Sequence, residues 1–479
     1  MVFLVTPGLA HLFEPDHEFH AAALKRICEP ETQDALHTTL VAVVDAVPLY
    51  NMPWHRPLPA KPSEGVSILV CPTVKTSAES LPDDRPALFE IHTTERDMDD
   101  ELLPVTSISA PVANTLFVNG RRNTLFTQRW HWDLMRERWE HSANHPRVDL
   151  SRASVRAYTS YNPSAIKSQS LGLYSYLKPL TRSGIVAKSM GNVVRQITLS
   201  DGSTKPASHE LELLVPGILK HARELDSSTD IAIFALVYPT SLRGETDGIF
   251  EMAKLDPTWF LRLLVRGARL HRVTSGGGGW GSKAGLLAFE PATDFQHDID
   301  EISSMFPGFA IEEDGLQMPA TRDVIPEGHV VQFFRLLIHS PKRQARERIF
   351  ISDGPQQPNS WFQPESTHIY SIGSTTLDAE GGFGTRHGDA ASAEDGVTSS
   401  DEAELDNIVT VPSRFGFLTT SPLCLSVDRS QLVAGEGDIG EASSHNTLIE
   451  AANTCVTFTF ASGGRNSKRE NVSLAMESE

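Results

Sequence analysis

Short runs rich in apolar and β-branched residues punctuate the chain. Val2–Thr6, Thr39–Val47 (TLVAVVDAV), Val66–Cys71 (VSILVC), Ile231–Tyr238 (IAIFALVY) and Val330–Ile338 (VVQFFRLLI) are the clearest. Each has the length of a strand and is too short for an ordinary buried helix. Side chains on a strand alternate between its two faces, so an unbroken apolar run must be covered on both. A sheet sandwiched between helices meets that demand. The intervening sequence supplies helical signals. Phe19, Ala22, Ala23, Leu24 and Ile27 recur at helical spacing within 17–28. Ser208 reads as an N-cap, and Pro216-Gly217 should kink or end the helix it opens. Asp256-Pro257 reads as N-cap and first position of a helix reaching about Leu270. The expected fold class is therefore α/β, with a mixed α+β arrangement as the alternative.

At 479 residues the chain exceeds one ordinary domain. The expected division is an N-terminal α/β domain (1–141), a loop-rich connection (142–190) and a second α/β domain (191–373). Next come an acidic linker (374–406), C-terminal strands completing the second domain (407–462) and a polar tail (463–479). Residues 374–406 are small, polar and acidic, and cannot bury enough apolar surface to offset the entropy of ordering. Within the first unit, Asn119-Gly120 between two apolar runs is a hairpin signal, and Trp132–Trp139 reads as a helical turn.

Hydrophobic residues make up 40% and charged residues 22%, which permits large packed cores. The 42 basic and 61 acidic residues give a formal charge of −19, which disfavours polyanionic partners and anionic membrane surfaces. Cys28, Cys71, Cys424 and Cys455 are scattered and form no CxxC pair, a reducing-compartment pattern. No apolar run is long enough to span a membrane, and the N-terminus lacks a signal-peptide pattern. A cytoplasmic location and no membrane partner are expected.

Ser275-Gly276-Gly277-Gly278-Gly279-Trp280-Gly281-Ser282-Lys283 is the most distinctive segment. Consecutive glycines let backbone amides approach an anion closely. Arg272 and Lys283 flank the loop and offer charge-assisted contacts, Trp280 offers a ring to pack on the ligand, and His271 is the nearest candidate acid or base. Gly276 and Gly281 have the separation of a phosphate-binding P-loop. The order Ser282-Lys283 is the reverse of that motif, however, and a strand rather than a helix follows.

Four weaker patterns accompany it. Arg121, Arg122, Arg129, Arg136 and Arg138 interleave with Trp130, Trp132 and Trp139, a mixture able to bind single-stranded nucleic acid but opposed by the overall charge. His17-Glu18-Phe19-His20, with Glu14 and Asp16, resembles a metal helix, but its histidines are three apart and no third ligand is evident. Ser164-Ala165-Ile166-Lys167 is a literal SxxK without its usual companions. His297 and His329 stand alone. No metal site is expected, and no cofactor is indicated.

The function expected from these features is that of an enzyme or ligand-binding protein. It would hold a small phosphorylated or carboxylated molecule at residues 275–283. The alternatives are a non-enzymatic scaffold using 374–406, or a nucleic-acid-associated protein using 121–139.

Overall fold

The computed structural model describes residues 1–14, 17–28, 36–49, 61–71, 74–78, 86–93, 105–142, 145, 147–156, 166–175, 177–225, 227, 229–243, 257–276, 285–290, 325–338, 367–374, 414–428, 445–451 and 454–462. Strands account for 53% of the well-placed residues and helices for 20%. The α/β expectation is thereby overturned. The protein is predominantly β, built from several sheets, one of which closes into a six-stranded barrel. Most of the apolar runs are covered on both faces, one of them by a core shared among several sheets, whereas Val66–Cys71 is not: Ile68 and Val70 are exposed.

The N-terminal sheet contains β1 (Val2–Val5), β2 (Leu36–Val43), β3 (Val66–Leu69), β4 (Leu125–Asp133) and β5 (Arg138–His141), in the order β5-β4-β2-β1-β3. Only the β1–β2 pair among these is parallel. Val2 and Leu4 of β1 point into the central core, whereas Phe3 and Val5 point to the opposite face. That face is covered by helix α1 (Glu18–Ile27) and the 3₁₀ segment Pro7–Phe13. The segment Trp132–Trp139 is not helical. β4 and β5 form a hairpin in which Trp132 opposes Trp139 and Trp130 opposes His141. A period of two explains this: Phe126, Gln128 and Trp130 are buried while Arg129 and His131 are exposed.

A second sheet joins Val74–Ser77, Leu88–Thr93, Val105–Pro111, Arg152–Arg156, Leu423–Asp428 and His445–Ile449. A third joins Ile166–Tyr174, Thr367–Ser374, Arg414–Thr419 and Cys455–Ser462. The C-terminal strands thus pair with the first part of the chain: Leu423–Asp428 lies against Val105–Pro111, and Cys455–Ser462 against Ile166–Tyr174. Residues 142–190, expected to be loop-rich, contribute strands to these sheets and to the barrel. Residues 374–406, apart from Ser374, lie outside the described residues, as does Asn407–Val411.

The barrel is formed by β6 (Gly184–Met190), β7 (Val193–Thr198), β8 (Asp230–Tyr238), β9 (Arg269–Gly276), β10 (Leu287–Phe289) and β11 (Val330–Ile338). The order is β11-β6-β7-β10-β9-β8, and β8 pairs again with β11 to close the ring. Every pairing is antiparallel. Its interior holds Val186, Val194, Ile197, Ala235, Val237, Leu287, Phe289, Val331 and Phe333. The Phe289 and Phe333 rings stack with centroids 6.4 Å apart. On the outer face of β8 and β11, Phe234, Leu236, Val330 and Phe334 join the central core shared with the N-terminal sheets.

Helix α2 (His209–Leu225) packs on β8, and helix α3 (Pro257–Val265) packs on Ile166–Tyr174. Phe260 of α3 meets Phe334 edge-on at 5.9 Å. Pro216 does not end α2. It lies on the exposed side, where water can take the backbone carbonyl that loses its partner.

Phe289 is fully buried in the barrel. Phe289→Ala is expected to cost about 3–5 kcal/mol in urea denaturation, because the barrel wall cannot collapse onto the vacated volume. Met135→Ser, at a position 92% exposed, should change stability by less than about 0.5 kcal/mol.

Candidate functional site

The glycine-rich segment grows out of the barrel wall. Ser275 and Gly276 are the last residues of β9 and pair with Ala288 and Leu287 of β10. The segment is therefore the connection of a β-hairpin. Gly277, Gly278, Gly279, Trp280 and Lys283 lie outside the described residues. Both ends of the connection are tightly placed. A side chain at Gly276 would run into Leu287. Gly285 adopts φ +82°, and a Cβ there would sit 2.5 Å from Pro206. Such a conformation favours glycine. The Gly285 carbonyl accepts a hydrogen bond from the Ser208 amide at 3.2 Å. The register also shifts between Val273 and Ser275, so the strand bends just before the loop.

Alternation along β9 separates the two flanking candidates. His271 opposes Ala235 and faces the barrel interior, whereas Arg272 opposes Phe234 on the outer face. His271 and Arg272 therefore do not converge. Nδ1 of His271 donates to the Glu290 carbonyl at 3.0 Å, which leaves Nε2 as a buried acceptor with no partner among the described residues. The ring meets Phe289 edge-on at 6.5 Å. Burial pushes its pKa down to about 4, the Glu290 carbonyl opposes that shift, and Arg269 adds to it. The imidazole is neutral and faces the core rather than the loop.

Arg272 has different company. Its Nη1 lies 3.8 Å from the Glu450 carboxylate, an ion pair too long to be a hydrogen bond. Burial pushes the Glu450 carboxyl up, Glu290 adds to this, and Arg272 opposes it. The Glu290 amide donates to the Arg272 carbonyl at 2.7 Å. Strand His445–Ile449 is clipped to β9 where Thr447 Oγ1 accepts the Leu270 amide at 3.0 Å. The base of the glycine hairpin thus carries one arginine and two carboxylates, Arg272 and Glu290 from its two arms and Glu450 from a distant strand end. Thr274 adds a hydroxyl that donates to Ala288 O at 3.2 Å.

Glu290 and Glu450 were not singled out from the sequence. Glu290 follows a short apolar run and Glu450 lies far along the chain, and neither has a motif to mark it. Only the pairing of β9 with β10, and its contact with His445–Ile449, brings them together.

The remaining sequence candidates occupy structural positions. Trp130 and Trp139 are buried under α1. Arg121 pairs with Asp149, and Arg136 and Arg138 both bond Glu140. His17 caps α1 and His20 is buried beneath it. Among the described residues no group of three or more His, Cys, Asp or Glu side chains could hold a metal ion. Ser164, Asp16 and His297 lie outside the described residues. The four cysteines form no disulfide, and no described helix is long and apolar enough to cross a membrane. No family model matches the chain, and neither do any curated protein or solved structure.

The folded pKa of His271 lies below its unfolded value of about 6.5, so the unfolded chain takes up the proton first. The stability is complete above pH about 6.5 and is lost as pH falls toward about 4, by roughly 3 kcal/mol in total. In urea denaturation, the advantage of the wild type over His271→Leu should shrink by that order between pH 7.5 and pH 4.5.

Proposed function

We propose that the protein binds a small molecule at the base of the β9–β10 hairpin, through an anionic group that Arg272 receives. The observation that carries this reading is the 3.8 Å separation of Arg272 from Glu450. A guanidinium held at that distance keeps N–H donors for a phosphate or carboxylate. Burial and the neighbouring Glu290 disfavour ionisation of Glu450, so the carboxylate competes weakly for the same cation. The amides of Gly276–Gly279 and the ammonium of Lys283 supply further donors in this reading, and Trp280 packs on the ligand. Glu290 and Glu450 narrow the ligand class to one that joins its anionic group to a hydroxyl or amino donor, as a phosphorylated sugar or an amino acid does.

The placement of His271 favours binding over acid–base catalysis by that residue. Its side chain lies on the opposite face of β9 from Arg272, and its lone buried nitrogen faces apolar side chains. A cytoplasmic setting suits an acidic chain whose cysteines form no disulfide.

A thermal-shift screen of nucleotides, phosphosugars, acyl-CoAs and amino acids tests the reading. A ligand at one hundred times its Kd stabilises the native state by about 2.7 kcal/mol, a rise of several degrees in Tm. The expected hit contains both an anionic group and a donor, and its shift is lost in Arg272→Ala and weakened in Lys283→Ala. Shifts that survive Arg272→Ala, or no shift with any compound, contradict the site.

A further inference from the structure

Helix α1 crosses the aromatic face of the N-terminal sheet, and imidazoles touch it along its whole length. At its start, His17 is the N-cap, and its Nδ1 accepts the Phe19 amide at 3.1 Å. A ring nitrogen accepts a hydrogen bond only when it carries no proton. In the middle, His20 is fully buried among Phe3, Phe13 and Trp130, with ring centroids 5.1, 5.1 and 4.6 Å away. Among the described residues Gln128 engages His20 in a contact short of full hydrogen-bond geometry, and Nε2 of His141 has no partner. At its end, Cys28 Sγ lies 3.9 Å from Nε2 of His37, and Trp139 Nε1 donates to the Cys28 carbonyl.

The charges facing His20 share one sign. β1 brings the amino group of Met1, β2 brings His37 and β5 brings His141, and each disfavours a proton on His20. β4 brings Gln128, which favours one. Arg147 lies on the same face, over the Phe126 ring at 3.5 Å, and the acids near it, Glu14 and Asp149, are its own partners. Among the described residues no carboxylate figures among the groups that act on His20. On α1 itself, Glu18 lies in the first turn, where the helix dipole favours it, and Lys25 and Arg26 lie in the last. Burial also pushes His37 and His141 down. The imidazoles do not converge into a metal site.

We propose that α1 is an acid-released latch, held on the N-terminal sheet by neutral His20 and set free when His20 takes up a proton. Protonation places a cation at His20, among the Phe3, Phe13 and Trp130 rings and beside the Met1 amino group, His37 and His141, which oppose it. Release uncovers Phe3, Phe13, Trp130, Trp132 and Trp139.

Hydrogen exchange of the full chain from pH 7.5 to pH 5, expressed as protection relative to intrinsic exchange, tests the latch. Protection of residues 18–27 should fall at least tenfold per pH unit below about 6.5, a slope reached when opening takes up one proton or more. Residues 230–238 of the barrel should stay protected while α1 opens. His20→Leu should flatten the slope. His20→Phe keeps an aromatic ring among Phe3, Phe13 and Trp130, so it keeps the test valid if His20→Leu does not fold, and it should also flatten the slope. Loss of protection in 18–27 and 230–238 along one common pH profile overturns the proposal. So does a wild-type slope retained in both variants.

Discussion

The ladder between β8 and β11 is the constraint on which the other sheets depend. It runs the full length of both nine-residue strands, from Asp230–Ile338 to Tyr238–Val330. On one side, Ala235, Val237, Val331 and Phe333 fill the barrel. On the other, Phe234, Leu236, Val330 and Phe334 belong to the core that also holds Leu4, Leu40, Phe89, Ile108 and Phe417. A single pair of strands therefore closes the barrel and also supplies a wall of the central core. A one-residue slip would exchange the two sets of side chains. The size difference between Ala235 and Phe234 makes that exchange costly on both sides.

This double duty explains what the sequence disclosed and what it withheld. Ile231–Tyr238 and Val330–Ile338 were legible as strands because every position is apolar or large. The same property hid the fold. A run buried on both faces looks alike whether helices or a second sheet cover it. The α/β reading followed from adding helical signals at 17–28, 208 and 256, and each of those does mark a helix. The antiparallel return of β11 to β8 left no local trace, because closure is a contact between stretches about a hundred residues apart. Trp132 and Trp139 show the opposite case: the segment between them read as a helical turn, and it is a hairpin that pairs the two rings across strands.

The candidate site was half legible. The glycines mark the connection between β9 and β10, and the strand that follows them excluded a P-loop, as the hairpin requires. The company of Arg272 was not readable. Adjacent residues on a strand face opposite ways, so His271 and Arg272, neighbours in sequence, serve different environments. One is a neutral ring in an apolar barrel, and the other a half-exposed cation beside two carboxylates. Glu450 reaches this place because its strand packs against β9, where Thr447 accepts the Leu270 amide. The arginine and carboxylates at the base of the hairpin are thus tied to the pairing that builds the barrel and to the sheet that docks against it.

Cross-strand disulfide trapping tests the ladder most directly. Ala232 and Leu336 are direct partners, so their Cβ atoms lie within about 5.5 Å on one face of the sheet. The Ala232→Cys, Leu336→Cys variant should form an intramolecular disulfide under mild oxidation of the folded chain. The slipped pair, Ala232→Cys with Leu337→Cys, should not, because its side chains point to opposite faces. A cross-link in the slipped pair, or none in the matched pair of a folded chain, would contradict the closed barrel.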